Sequence, residues 1–303
     1  MAALTTFKVG LASPANTFFA IWMAKAGGFY AQNGLNVEIV LVVGGKNSGP
    51  DLESNRIQLM HIGMSSVVRA NGMGHHLITI GSLSNIIRNS MFCAPGISGP
   101  KDLIGRKIGI SSEGSETDPT TTLALRKLGI DRKDVQIVEI GVERLTAVRE
   151  GQVAASLMGE PYRSKAFALG MKPLIDLYAD HTPWLYSGLV VSQDFLKNHR
   201  DQVLAFIRGT VEGNYFALAN PVDAKKVLAT ELKLTDAKVI DQTYENFSAE
   251  TPRNAELTIQ GAQNIIDVLE PKDRHLSSYM DNSIQEELTR EGVFDKMKQK
   301  YKV

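Results

Sequence analysis

Residues 107–119 read Lys107-Ile108-Gly109-Ile110, then Ser111-Ser112-Glu113-Gly114-Ser115-Glu116-Thr117, then Asp118-Pro119. The first four residues are short, apolar and partly β-branched, which suits a strand buried on both faces. The next seven are small and hydroxyl-rich. Asp-Pro then opens a helix, because proline is tolerated at the first helical position and the acidic residue caps it. That helix stops at Gly129, the usual left-handed terminator. Strand, hydroxyl loop, helix is one βα unit, and the same unit recurs along the chain.

Working outward, further strands are expected at Phe7–Leu11, Val37–Val43, Met60–Gly63, Ile78–Gly81, Val135–Ile140 and Ala155–Met158, with helices between them. The alternation predicts an α/β protein whose open, mostly parallel sheets carry helices on both faces. Ser13-Pro14 opens a helix expected to run to about Tyr30, and Glu160-Pro161 opens one that stops at Gly170. From Ser192 onward the chain reads as helices alone, broken near Asn220-Pro221, Leu234-Thr235, Thr251-Pro252 and Pro271. A helical tail adds no strand, so it must pack on sheets already built. Strand, helix, strand, short helix, strand occurs twice, a coarse internal echo. Two apolar runs stand outside the rhythm, Asn89–Pro95 and Leu185–Val191. If both cross between lobes they form a hinge of two strands. The lobes are then residues 1–88 with 192–303, and residues 89–191.

Composition narrows the function. At 303 residues with 43% hydrophobic side chains, the chain buries a sizeable core without disulfides or metals. Lys plus Arg and Asp plus Glu are both 33, a balance that argues against a nucleic-acid partner. One cysteine, Cys93, excludes an internal disulfide and a multi-cysteine metal site. Six histidines lack metal-ligand spacing; His75 and His76 are adjacent and point apart. His61, in an apolar strand, reads as a core residue. No cofactor fingerprint, Gly-x-Ser-x-Gly or His-Glu-x-x-His run is present, and Gly44-Gly45-Lys46 lacks P-loop spacing. No run approaches the length of a membrane span. Met1–Lys8 has neither a basic nor an apolar leader region. A cytoplasmic protein and a trimmed, mature secreted one both fit that start.

Ordered pieces resemble a known family. They are Val9-Gly10-Leu11; Ala24-Lys25-Ala26-Gly27-Gly28-Phe29-Tyr30; Asn33-Gly34-Leu35-Asn36-Val37-Glu38; Asp102-Leu103-Ile104-Gly105-Arg106-Lys107-Ile108-Gly109; and Val148–Ala155 followed by Gly159-Glu160-Pro161. In that order they are similar to the substrate-binding proteins for nitrate, sulfonates, taurine and thiamine-pyrimidine precursors, of the type II periplasmic binding fold. Two departures fall on structural turns: Asn55–His61 replaces an acidic element, and Ala154 stands where the family has Asp. The cysteine-rich iron motif of the pyrimidine-forming members is absent. The resemblance implies a two-lobed receptor, monomeric and without cofactor, periplasmic or cell-surface when mature. It would capture a small organic anion and deliver it to the permease and ATPase of an ABC transporter. The alternative is an enzyme on the same fold acting on a small acid or pyrimidine precursor, with His61 or Glu160 as the first acid–base suspects.

Ligands of open α/β sheets sit beyond the carboxyl ends of the strands, at helix N-termini. Four loops qualify and supply the candidate ligand contacts: Ala15, Asn16 and Thr17; Gly45 and Lys46; Ser65 and Ser66; Ser112, Ser115 and Thr117. Around the expected hinge, Asn85 and Arg88 could meet the ligand, Arg88 as a bidentate clamp. Trp184 and Tyr186 could wall the cleft, and Glu160 could receive a polar group. Each residue has a plainer role open to it: helix capping for the hydroxyl residues and Glu160, an ion pair for Arg88, packing for the aromatics.

Overall fold

The structure is a computed structural model and describes residues 3–11, 14–42 and 48–303. Among these residues the chain forms strands β1 (Thr5–Leu11), β2 (Leu35–Leu41), β3 (Leu59–Ile62), β4 (Leu77–Ser82), β5 (Ser90–Cys93), β6 (Lys107–Ile110), β7 (Gln136–Glu139), β8 (Ala155–Met158), β9 (Pro173–Asp176) and β10 (Gly188–Ser192). They make two five-stranded sheets, ordered β2-β1-β3-β10-β4 and β7-β6-β8-β5-β9. In the first sheet β1 runs parallel to β2 and β3, and β10 lies antiparallel between β3 and β4. In the second, β6 runs parallel to β7 and β8, and β5 lies antiparallel between β8 and β9. The internal echo is therefore exact in topology. Each sheet places its own strands second, first, third and fourth, and admits between the last two one antiparallel strand that has just arrived from the other sheet.

That insertion corrects one expectation. The run at Asn89–Pro95 does not bridge the sheets; its strand, β5, is an interior member of the second sheet, and β10 is an interior member of the first. Residues 188–191, expected at the end of the second lobe, pair with β3 and β4. The crossing is made just before these strands. Leu83 N–H donates to Ser187 O (2.8 Å), Tyr186 N–H to Ser84 O (3.0 Å), Trp184 N–H to Asn85 O (2.9 Å) and Ile87 N–H to Thr182 O (3.0 Å). The two crossing segments are thus an antiparallel ribbon.

The remaining strands fall where expected, and β9 is additional. The helix expected from Ser13 to Tyr30 is instead a 3-10 turn Asn16–Phe18, a helix Phe19–Ala26 and a short helix Phe29–Gln32. Gly28 between them takes φ 69°, a left-handed conformation that interrupts regular hydrogen bonding. Ser13, Gly45 and Lys46 lie outside the described residues.

The helical tail covers the first sheet. Helix Arg200–Ala219 lies against helix Phe19–Ala26, and Phe206 stacks between Phe7 of β1 (5.0 Å between ring centres) and Tyr30 (5.1 Å). Their approach depends on Gly213, where a Cβ would stand 2.5 Å from the Ala24 backbone nitrogen and 2.6 Å from the Ala20 carbonyl oxygen. Alanine normally favours a helix over glycine by roughly 1 kcal/mol. Here backbone against backbone has no soft atom to yield, so overpacking decides the sign. Gly213→Ala is expected to destabilise the protein by about 1–3 kcal/mol, read as a lower urea midpoint with unchanged slope; a gain in stability would show that the helices separate without cost.

Candidate functional site

The two sheets meet along a seam at the carboxyl ends of β3 and β6. From the first sheet, β3 runs into Gly63 and helix Met64–Gly72, and Gly63 holds the extended conformation of an N-cap. From the second, β6 runs into the hydroxyl loop and helix Thr117–Lys127. The seam's centre is a carboxylate. Glu116, half-buried, accepts hydrogen bonds from the Ser65 hydroxyl and from the Trp184 indole N–H (2.7 Å). The Ser65 backbone adds a further favourable contact. Burial pushes the Glu116 carboxyl up to about 7, against the pull of these donors and of the Arg69 charge. Trp184 is itself fully buried on the crossing ribbon.

Beside Glu116, two arginines converge on one acid of the second sheet, and one of them comes from the first sheet. Arg69, on the first-sheet helix, pairs with Asp118 at 2.8 Å, and Arg132 reaches the same carboxylate at 2.5 Å. The Ser66 hydroxyl points at Gly114 O across the seam, at 3.4 Å. A cavity of about 1100 Å³ opens here, lined by residues of both sheets including Ser66, Ser112, Ser115, Arg69, Arg126 and Arg132. That volume matches the upper end of the ~300–1,000 Å³ usual for small-molecule pockets.

The predicted residues divide. Ser65, Trp184, Ser66, Ser112 and Ser115 come together on the seam. Ser115 and Thr117 are largely occupied with the loop itself: Ser111, Ser115 and Thr117 hydroxyls lie 2.8 Å apart in a closed ring, and Thr117 accepts from the Ser111 backbone N–H. Tyr186 is half-buried and its hydroxyl accepts from Asn89 (2.9 Å). Asn16 and Thr17 are buried on the turn after β1 together with Ala15, whose carbonyl accepts from Phe18 N–H; the Phe18 ring meets His61 edge-on at 5.1 Å. His61 Nε2 has no hydrogen-bond partner, and burial drives the imidazole down to about 4, hence neutral at pH 7. Asn85 and Arg88 turn instead to the C-terminal helices. Asn85 donates to Glu256 O (2.9 Å); Arg88, buried, donates to Ser84 and Thr251 hydroxyls, with Glu250 at 3.6 Å. Glu160 caps helix Tyr162–Ala168 by accepting from Ser164 N–H (3.1 Å), and its Oε1 has no hydrogen bond.

Sequence reasoning missed Arg144. Its guanidinium is half-buried near Tyr186 and Tyr162; Nε is buried without a hydrogen bond, and among the described residues it makes no ion pair. Among the described residues its side chain hydrogen-bonds Gly141 O alone, at 3.3 Å. A signal existed: Arg144 is the first residue of helix Arg144–Arg149, where the dipole disfavours a cation. Glu116 lay within the quoted loop, but nothing local tells that its partners come from the other sheet. Among the described residues no group of His, Cys, Asp and Glu is placed to hold a metal, and no helix is long and apolar enough to cross a membrane.

Comparison with known proteins settles the family. A model of the family described as NMT1/THI5 like matches residues 15–224. The chain belongs to the NMT1/THI5-like family. The riboflavin-binding protein RibY of Chloroflexus aurantiacus is 26% identical over 216 residues, which are 68% of this chain and 60% of that protein. A solved protein of Bordetella bronchiseptica RB50 superposes with a TM-score of 0.81 at 19% identity, covering 95% of this chain and 98% of its own. The periplasmic aliphatic sulphonate binding protein SsuA of Escherichia coli gives 0.71 at 17% identity, covering 89% and 86%. The desulfurization enzyme DSZB gives 0.68 at 14%, covering 95% and 99%. The NMT1/THI5-like chain thus has the periplasmic-binding-protein fold, shared by binding proteins and at least one enzyme.

The Glu116 carboxyl predicts a pH dependence. Its folded value of about 7 lies above the ordinary 4.5. Between these values the folded state holds more of this proton than the unfolded chain, so its contribution to stability is present below 4.5 and lost as pH rises through 7. Glu116→Gln should remove that part of the slope: plotted against pH, the melting-temperature difference, variant minus wild type, rises between pH 4.5 and 7 and is flat above. A difference flat throughout would mean that the carboxyl titrates normally.

Proposed function

We propose that this protein is the solute receptor of an ABC-type importer. It takes a small organic anion into the seam between two lobes, residues 1–82 with 188–303 and residues 88–181, and closes about the 83–87/182–187 ribbon that joins them. It acts as a monomer, periplasmic or cell-surface in its mature form, and hands its cargo to a permease energised by an ATPase. Arg144 carries this reading. A half-buried guanidinium with no carboxylate beside it among the described residues is poorly compensated, and an anionic cargo would neutralise it. The hydroxyl residues of both sheets and two helix N-termini around the cavity also suit an anion, although Arg144 itself is not among the cavity's lining residues. A ligand touching both sheets stabilises the closed arrangement by its differential contacts. The relatives' roles, riboflavin binding and sulphonate binding, support cargo capture and leave the cargo to experiment.

One observation favours an enzyme instead: His61, neutral and with Nε2 unpartnered, sits at the end of β3, and DSZB shares the fold. Such an enzyme would act on a small acid or pyrimidine precursor. The two readings separate on whether the bound compound is recovered unchanged.

The test is a thermal-shift panel of alkyl and aryl sulfonates, carboxylates, nitrate, riboflavin and pyrimidines, since a ligand of the native state raises the melting temperature by mass action. An anion that shifts wild type should bind Arg144→Met about 10–100-fold more weakly, the loss of a charge-assisted hydrogen bond worth roughly 1.5–3 kcal/mol. Undiminished binding by the variant would remove Arg144 from the site, and consumption of the compound would replace receptor by enzyme.

A further inference from the structure

We propose that Gly63, Ser65 and Trp184 form a monocarboxylate subsite on the first sheet's side of the seam, and that Glu116 of the second sheet is an internal ligand occupying it. The contacts are those of a bound acid. Every group facing the carboxylate is a donor: the Ser65 hydroxyl, the Ser65 backbone and the Trp184 indole N–H. The nearby cation, Arg69, is engaged with Asp118. Gly63 makes the cradle. A Cβ there would overlap the Glu116 carboxyl group, so the acid seats only because the residue is glycine. Ser65 and Trp184 are both fully buried, so in this arrangement their donors have nowhere else to turn.

The donors belong to the first sheet and the crossing ribbon, whereas the acid belongs to the second sheet. Glu116 therefore bridges the lobes as a two-sided cargo would, and holds them together without one. An incoming carboxylate that uses the same three donors must displace it. The inference deepens the receptor reading and rests on it for its biological sense, but its chemistry is tested without any cargo.

Glu116→Ala removes the atoms of one acetate and leaves the donors in place. The variant is expected to melt below wild type. Sodium formate and acetate should then raise its melting temperature saturably, beyond sodium chloride at equal ionic strength. Wild type, its subsite filled, should show no excess over chloride, and Glu116→Ala with Ser65→Ala should lose the rescue. Should Glu116→Ala not fold, Glu116→Ser keeps a small polar side chain and is read the same way. No excess stabilisation by formate or acetate in a folded Glu116 variant, or the same excess in wild type, overturns the proposal. A cargo panel that finds nothing leaves formate rescue standing, and failed rescue leaves the cargo reading standing, so the two failures are distinguishable.

Discussion

The arrangement depends on one topological constraint: each sheet is completed by a strand that comes from the other. β10 fills the gap between β3 and β4, and β5 fills the gap between β8 and β9. Neither sheet has an unbroken ladder until the chain has crossed, so neither half can be closed off as an independent sheet. The crossings then lie side by side as a hydrogen-bonded ribbon, which limits their relative motion to bending and twisting. The same constraint sets β3 and β6 to discharge their following helices toward a common seam. Two helix N-termini and their hydroxyl loops face each other for that reason, without any loop being long.

Apolar and polar contacts divide along the seam. One buried cluster stays with the first sheet and its covering helices, including Phe7, Phe19, Phe206 and Tyr215. A second runs continuously from Met60, Ile62 and Met64 through Trp184 and Leu185 to Met91, Ile108 and Leu157, so it belongs to both sheets. Its continuity puts the mechanical link between the sheets near the ribbon. Away from the ribbon the sheets are joined by Arg69–Asp118 and the Ser66–Gly114 contact. Partly exposed ion pairs contribute little, of order 0–1 kcal/mol each. Contacts of that strength can be made and broken while the apolar end stays packed, as a cleft that opens and closes requires.

Much of the fold was legible because buried parallel strands announce themselves by length and β-branching, and helix ends by Pro and Gly. β9 was missed: its four residues begin with proline, end with Asp176 and are only half buried, so no apolar run marks it. The crossings were misplaced by a few residues because an interior antiparallel strand is apolar on both faces, as a bridging strand would be; only pairing partners distinguish them. In the site, Ser65, Ser66, Ser112 and Ser115 followed from the rule that loops after strands face the ligand. Charges did not follow. Arg88 and Arg144 look alike in sequence, and what separates them is Glu250, 162 positions from Arg88 and absent from Arg144's surroundings. Pairing at that separation is a property of the folded chain.

Glu116 shows how closely such a seam can be balanced. Removing a carboxylate from water costs several kcal/mol even after relaxation. Hydrogen bonds to a charged group return roughly 1.5–3 kcal/mol each, and the donors here are few. The two effects are of similar size, and the outcome is a carboxyl lifted to about 7, not one locked as an ion or as a neutral acid. A full ion pair in the same place would hold the sheets more firmly, since breaking a buried pair leaves an uncompensated charge. The Arg69 charge acts on Glu116 through space, yet that side chain is paired with Asp118. The subsite thus offers donors without a formal positive charge. Such a set would retain an internal acid weakly enough for another to replace it, as the proposed subsite requires.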